Sequence, residues 1–131
     1  MSEAEPPVPS TRERGREGEE EGVRYLVALG YEPVERNLVN EVGEIDLVAR
    51  EGDTLCFVEI KARLSDAFGP AIEAVGPGKQ RRLSRAAVLY LAEANLGDLH
   101  CRFDVLGLDW IAGGWEFTLV RDAFPFRGSW S

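Results

Sequence analysis

Apolar and polar positions divide this chain into segments of two distinct periods. From about residue 12 to residue 29, Gly22, Val23 and Leu26 recur on one stripe at three- to four-residue spacing, which predicts an amphipathic helix. Gly30 supplies its C-terminal stop. Residues 31–38 read as a first strand or an extended lead-in. Two strongly apolar stretches follow, 43–49 and 55–61, and the intervening Arg50-Glu51-Gly52-Asp53 has the Gly and Asp of a tight hairpin connection. Residues 68–75 read as a loop with a single helical turn, and Gly76-Pro77-Gly78 is strong punctuation. A second helix is expected over about 79–93, with Leu83, Ala87, Tyr90, Leu91 and Ala94 as its apolar face. Alternation of period two returns at 101–106 and 115–120, and Gly113-Gly114 marks the turn between these strands. Helix, strands, helix, strands in that order point to α/β, with a mixed sheet covered by helices. The folded domain is placed at residues 12–122. Residues 1–11, Pro-rich and acidic, read as a disordered tail, and 123–131 as an irregular aromatic one.

The two apolar stretches carry ionisable side chains where a strand should present apolar ones. Asp46 sits in the first, Glu59 and Lys61 in the second. Asp and Lys are depleted in strands because they fit a pleated, half-buried surface poorly. A two-residue turn at Glu51-Gly52 pairs Arg50 with Asp53, puts Asp46 opposite Phe57 and makes Glu59 its diagonal neighbour. On that count Asp46, Glu59 and Lys61 share one face, and Cys56, Val58 and Ile60 point to the other as core. Diagonal neighbours lie roughly 7–8 Å apart, close enough for two carboxylates to reach one cation. A single-residue bulge would break this arrangement.

Composition narrows the classes. At 131 residues the chain is one domain of common size, and its 44% apolar and 29% charged residues are those of a soluble globular protein. No apolar run approaches the roughly 18 residues of a membrane span, and the acidic, Pro-containing N-terminus does not read as a signal peptide. Cytoplasmic residence, with no membrane association, is the expectation. Cys56 and Cys101 lack CxxC spacing and read as two buried reduced thiols. With His100 the only histidine, a zinc site and a Ser/His triad are both disfavoured. The net charge of −8 opposes a nucleic-acid partner, but half of it lies in residues 1–22, with seven acids and three bases. Lys79, Arg81, Arg82 and Arg85 form a local patch of four positive charges. Phosphate binding answers to such a local field, with strong salt sensitivity. A merely solvated helix face would look the same.

The strand residues suit metal chemistry. Asp46 and Glu59 supply hard oxygen ligands for Mg²⁺ or Mn²⁺, with the Ile60 carbonyl as a further donor. Such a metal lowers the pKa of water and stabilises charge developing on a phosphate. Lys61 would neutralise that charge, and adjacent carboxylates should favour its cationic form. The plainer alternative is a surface hairpin with a Glu59–Lys61 ion pair of little energetic value. Glu19 falls on the apolar stripe of the first helix, so it either turns inward to join the site or stays solvated near the helix N-terminus.

Asp46…Glu59-Ile60-Lys61 resembles the PD-(D/E)xK signature of restriction-endonuclease-like nucleases. The wider pattern resembles the YraN family of uncharacterised bacterial proteins in that superfamily. The matching stretches are Gly15-x-x-Gly18-Glu19, Gly30-Tyr31, the run from Gly43 to Ala49, Phe57-Val58-Glu59-Ile60-Lys61-x-Arg63, Glu73-Ala74-Val75, Lys79-Gln80-x-Arg82-Leu83 and Arg102-Phe103-Asp104-Val105. The resemblance implies a restriction-endonuclease-like mixed β-sheet flanked by α-helices, and Glu19, Asp46, Glu59 and Lys61 as the metal and catalytic set. It also implies a likeness to archaeal Holliday-junction resolvases, hence branched DNA as partner and a homodimer. Ala62 stands where the family usually has a small hydroxyl residue, and Gly22 where it often has Ala. Gln80 takes the place of a helix Gln that assists the site in related nucleases, or simply bonds solvent. The expectation is a metal-dependent endonuclease acting on DNA. The alternatives are a non-catalytic nucleic-acid-binding module on the same fold and a protein–protein adaptor.

Overall fold

The computed structural model of the chain describes residues 11–64 and 69–127. The expected N-terminal tail therefore lies outside the described residues, except for Thr11, which opens the first helix, and so do Phe68 and residues 128–131 of the aromatic tail. The elements are α1 (Thr11–Ala28), β1 (Glu32–Val39), β2 (Glu44–Glu51), β3 (Thr54–Arg63), a 3₁₀ turn (Ala71–Ala74), α2 (Pro77–Glu93), β4 (His100–Ile111) and β5 (Gly114–Phe124). The strands form one sheet in the order β1-β2-β3-β4-β5. Its pairs are antiparallel except the central β3–β4 pair, which is parallel. A parallel pair needs a crossover, and the 3₁₀ turn with α2 supplies it. The mixed sheet flanked by helices agrees with the restriction-endonuclease-like expectation. No described helix is long and apolar enough to cross a membrane.

Each sheet face has its own core. Leu55 and Phe57 of β3 pack with Leu83, Ala86 and Ala87 of α2, whereas Cys56, Val58 and Ile60 pack with Leu26 of α1. The alternation along β3 is thus as the sequence predicts. Helix α1 lies close to the sheet because glycines face it. A Cβ on Gly22 would stand 3.2 Å from Leu106 and 3.3 Å from Ile60, and one on Gly18 would stand 3.0 Å from Trp115.

Several expectations are corrected. The hairpin turns at Gly52-Asp53, so Glu51 pairs with Thr54 and not Arg50 with Asp53. Gly52 takes the left-handed φ of 61° that this turn needs. Helix α2 begins at Pro77, a residue pre-set for a first helical turn. Ala94 is its exposed C-cap, and Ser84 and Ala86 are buried in its place. Strands β4 and β5 run longer than their alternating cores. Gly107 and Asp109 interrupt the apolar pattern of β4, yet Asp109 accepts the Ala71 amide at 3.0 Å and continues the strand. Phe124, in the stretch read as irregular, ends β5 and stacks on Phe103 with centroids 4.8 Å apart. Both cysteines are free, and Cys101 is only half-buried.

Asp104, unassigned from sequence, is fully buried on the α1 face beside Val58. Its carboxylate accepts from the Tyr31 hydroxyl at 2.7 Å, from Arg102 Nε at 2.9 Å and from the Asp122 amide at 2.9 Å. Arg102 also reaches Glu51, which holds Arg121 by two further bonds. Desolvation first, and the bond to Asp104 second, push the Tyr31 hydroxyl well above its ordinary pKa. The network ties the end of α1 to β4 and β5. Asp104→Ala leaves Arg102 without its buried partner and should cost about 3–5 kcal/mol. Tyr31→Phe should cost only about 1.5–3 kcal/mol, the range for a hydrogen bond to a charged group. Urea unfolding measures both. An Asp104→Ala chain as stable as wild type would remove the network from this structural role.

Candidate active site

The site forms where the hairpin ladder stops. Pairing of β2 with β3 runs from Glu51↔Thr54 to Leu47↔Val58 and goes no further. Beyond that point the Asp46 carboxylate takes over, its Oδ2 accepting the Ile60 amide at 2.8 Å. A side-chain oxygen therefore satisfies a strand donor that has lost its ladder partner. The two-residue shift of the hairpin keeps the parity of both strands. It also places Asp46 at the level of Glu59 itself, where the sequence count had it diagonal.

The strict one-face arrangement does not survive at Asp46. Ile45 and Val48 both pack on the α2 side, whereas Leu47 packs on the α1 side, so alternation slips at this residue. Across from it on β1, between the pairs Arg36↔Leu47 and Leu38↔Ile45, Asn37 has a left-handed φ of 51°. Asn tolerates that conformation better than other side chains with a Cβ. The paired kink turns Asp46 into the seam between β2 and β3. Glu59 and Lys61 keep the face toward α2.

Glu59 is only 4% exposed. Its Oε1 receives Lys79 Nζ at 2.5 Å, and Lys61 Nζ lies 3.9 Å from the same oxygen. Burial first, and the Asp46 charge second, push the Glu59 carboxyl up to about 7 despite both lysines. Glu19 of α1 is half-buried, and its carboxyl is also raised, by burial and then by Asp46. Asp46 is thus the charge that both other carboxylates feel. Lys61 departs from expectation. Burial and the neighbouring Lys79 lower its pKa and outweigh the carboxylates that should have favoured its cation. For Lys79, burial opposes the charge, but the bond to Glu59 prevails and raises its pKa.

The remaining candidates separate into two groups. Lys79, grouped by sequence with the helix arginines, belongs to the carboxylate site. Its signal was its place in the first turn of a helix that follows Gly76-Pro77-Gly78, but nothing local said which strand residue it would meet. Arg81, Arg82 and Arg85 are exposed along α2. Gln80 does not reach the site: its Nε2 donates to the Val75 carbonyl at 3.0 Å, and its Oε1 accepts from Arg127 Nε. Ile60 is buried and contributes its amide to Asp46.

A family model described as an uncharacterised protein family, UPF0102, matches residues 18–108, a stretch that holds Glu19, Asp46, Glu59, Lys61 and Lys79. The chain belongs to the UPF0102 family. This is the YraN family of the resemblance, a member of the restriction-endonuclease-like superfamily. A UPF0102 protein of Syntrophus aciditrophicus is 42% identical over 110 residues, covering 84% of this chain and 87% of that one. One of Chlorobium chlorochromatii is 48% identical over 103 residues, 79% of each chain. One of Anaeromyxobacter is 38% identical over 128 residues, covering 98% and 96%.

Among the described residues no three His, Cys, Asp or Glu side chains group closely enough to hold a metal ion by themselves. The donor set is smaller: two strand carboxylates, Asp46 and Glu59, with Glu19 feeling the same field. Hard carboxylate oxygens of this kind suit a divalent cation whose remaining positions are filled by water, as Mg²⁺ prefers. The residues fit such a group.

Two outcomes test this geometry. Glu59 has a folded-state pKa of about 7 against an ordinary 4.5, so the fold favours its protonated form. Its contribution to stability is complete below pH 4.5 and is lost as pH rises through about 7. Thermal melting in a chelator should therefore fall across that window, and Glu59→Gln should flatten the slope. Asn37→Gly should be tolerated, whereas Asn37→Val forces a β-branched side chain into the left-handed region at about 1–3 kcal/mol. Equal stability of the two would remove the kink as the cause of the Asp46 geometry.

Proposed function

We propose that this chain is a metal-dependent phosphodiesterase acting on DNA, with branched or structured DNA as its substrate class. The observation that carries the reading is Glu59, a nearly buried carboxylate raised to about 7 beside Asp46 and flanked by Lys61 and Lys79. A fold rarely retains such a costly group without a use, and perturbed carboxylates with specific charge partners cluster at functional sites. Asp46 and Glu59 would hold Mg²⁺ or Mn²⁺, with Glu19 contributing through the same field and the Ile60 carbonyl as the further donor. The metal supplies Lewis acidity toward a phosphate oxygen and a lowered pKa for the attacking water. Lys61 sits two residues along the same face and places positive charge where a pentavalent phosphorus would develop its negative charge. Arg81, Arg82 and Arg85 on the exposed side of α2 supply sequence-independent contacts to backbone phosphates. The likeness to junction resolvases supports a branched substrate and a homodimer.

A second reading, binding without cutting, draws on the same arginines and on the absence of a three-ligand group among the described residues. The two readings diverge in one experiment. Purified chain incubated with branched and linear DNA in Mg²⁺ or Mn²⁺ should cleave, and Asp46→Asn should lower the rate at least about a hundredfold, the scale for loss of an electrostatic stabiliser. Cleavage that survives Asp46→Asn would point to a contaminant or another site. Binding without turnover, weakened by Arg81 and Arg82 substitutions but indifferent to metal, would favour the binding module.

A further inference from the structure

Lys79 is the residue whose place the proposed chemistry does not explain. Its ammonium lies 2.5 Å from Glu59 Oε1, on a carboxylate whose side chain is 5% exposed. Lys61 approaches that same oxygen at 3.9 Å. A hard cation bound by Glu59 needs an oxygen contact of roughly 2.0–2.1 Å for Mg²⁺ and similar room for its waters. An ammonium in hydrogen-bond contact with the same oxygen competes for that room. Two positive charges a few Å apart in a partly buried site also repel strongly. We propose that Lys79 and a divalent cation are alternative partners of Glu59, so that metal binding displaces the Lys79 ammonium. This inference rests on the metal-dependent reading of the site.

The surroundings permit the exchange. Lys79 is 30% exposed at the side chain, stands in the first turn of α2 and has a long, flexible stem. Beside it lies a depression of about 270 Å³ lined by Gly43, Glu44, Arg82 and Leu83. Glu44 is exposed there, so a displaced ammonium meets another carboxylate within the same depression. Without metal, Lys79 keeps the Glu59 carboxylate from standing buried and unpaired, which would be costly. With metal, that compensation is redundant. Lys79 thus stabilises the empty site and weakens its affinity for metal through one contact.

Calorimetric titration of Mn²⁺ into the full chain tests the exchange in wild type, Lys79→Met, Lys79→Gln and Arg50→Met. Both Lys79 variants should bind Mn²⁺ about tenfold tighter, a gain of about 1.4 kcal/mol. Arg50→Met removes an exposed positive charge from β2, outside both the carboxylate site and the depression, and should change the affinity little. Mn²⁺ should also raise the melting temperature of the Lys79 variants more than that of wild type. Lys79→Gln keeps a hydrogen-bond donor toward Glu59, so it remains informative where Lys79→Met fails to fold. Unchanged affinity in the Lys79 variants, or an equal gain in Arg50→Met, overturns the exchange while leaving the metal site intact. No Mn²⁺ binding by any of the four chains overturns the metal-dependent reading together with this one.

Discussion

The sheet buries two carboxylates back to back, and the rest of the molecule is arranged around the need to compensate them. Asp104 on β4 and Glu59 on β3 lie one residue apart in the parallel register, on opposite faces. Asp104 is met by a hydroxyl, a guanidinium and an amide, and those three donors come from the connection that follows α1, from β4 and from β5. Satisfying it therefore fixes where α1 leaves the sheet. Glu59 is met by two ammonium groups and opposed by Asp46. One carboxylate is saturated by its own fold. The other is held in balance between attraction and repulsion, which is the condition of a group that exchanges partners.

The local irregularities of the sheet belong to that balance. A regular hairpin would pair Asp46 and Glu59 directly, and their side chains would stand on one face as like charges across a ladder, a destabilising arrangement. Ending the ladder at Leu47↔Val58 opens the seam, and the left-handed Asn37 on β1 lets β2 turn there without breaking its other pairing. Asp46 then spends one oxygen on the Ile60 amide, which fixes its orientation. Gly18 and Gly22 let α1 settle against the other face, bringing Glu19 within the field of Asp46. These departures from regular geometry place the carboxylates.

Much of this was legible in the residues. Period two along 55–61 gave the faces of β3, because every side chain from Leu55 to Ile60 is buried. Parity also survived a misplaced turn, since the hairpin shifted by two residues rather than one. The limits of β4 and β5 were not legible, because Gly107 and Asp109 answer to the 3₁₀ turn packed against them and Phe124 to Phe103 across the core. The role of Asp104 was hidden for a similar reason: its partners Tyr31 and Asp122 are 73 and 18 residues away in sequence. Lys79 was the instructive miss. A basic helix turn has the same pattern whether its cations face solvent or a buried acid, and only the tertiary position of α2 decides between them.

That position also sets how the cations of α2 are presented. Leu83, Ala86 and Ala87 pack into the core beneath β3, so the helix cannot rotate without opening it. The same packing aims Lys79 at Glu59 and leaves Arg81, Arg82 and Arg85 on the solvent side. The core residues of α2 thus fix the angle between the carboxylate site and the row of arginines, and a net charge of −8 does not erase that local field. The exposed row of arginines along α2 and the constrained ammonium of Lys79 at its first turn are consequences of one buried helix face.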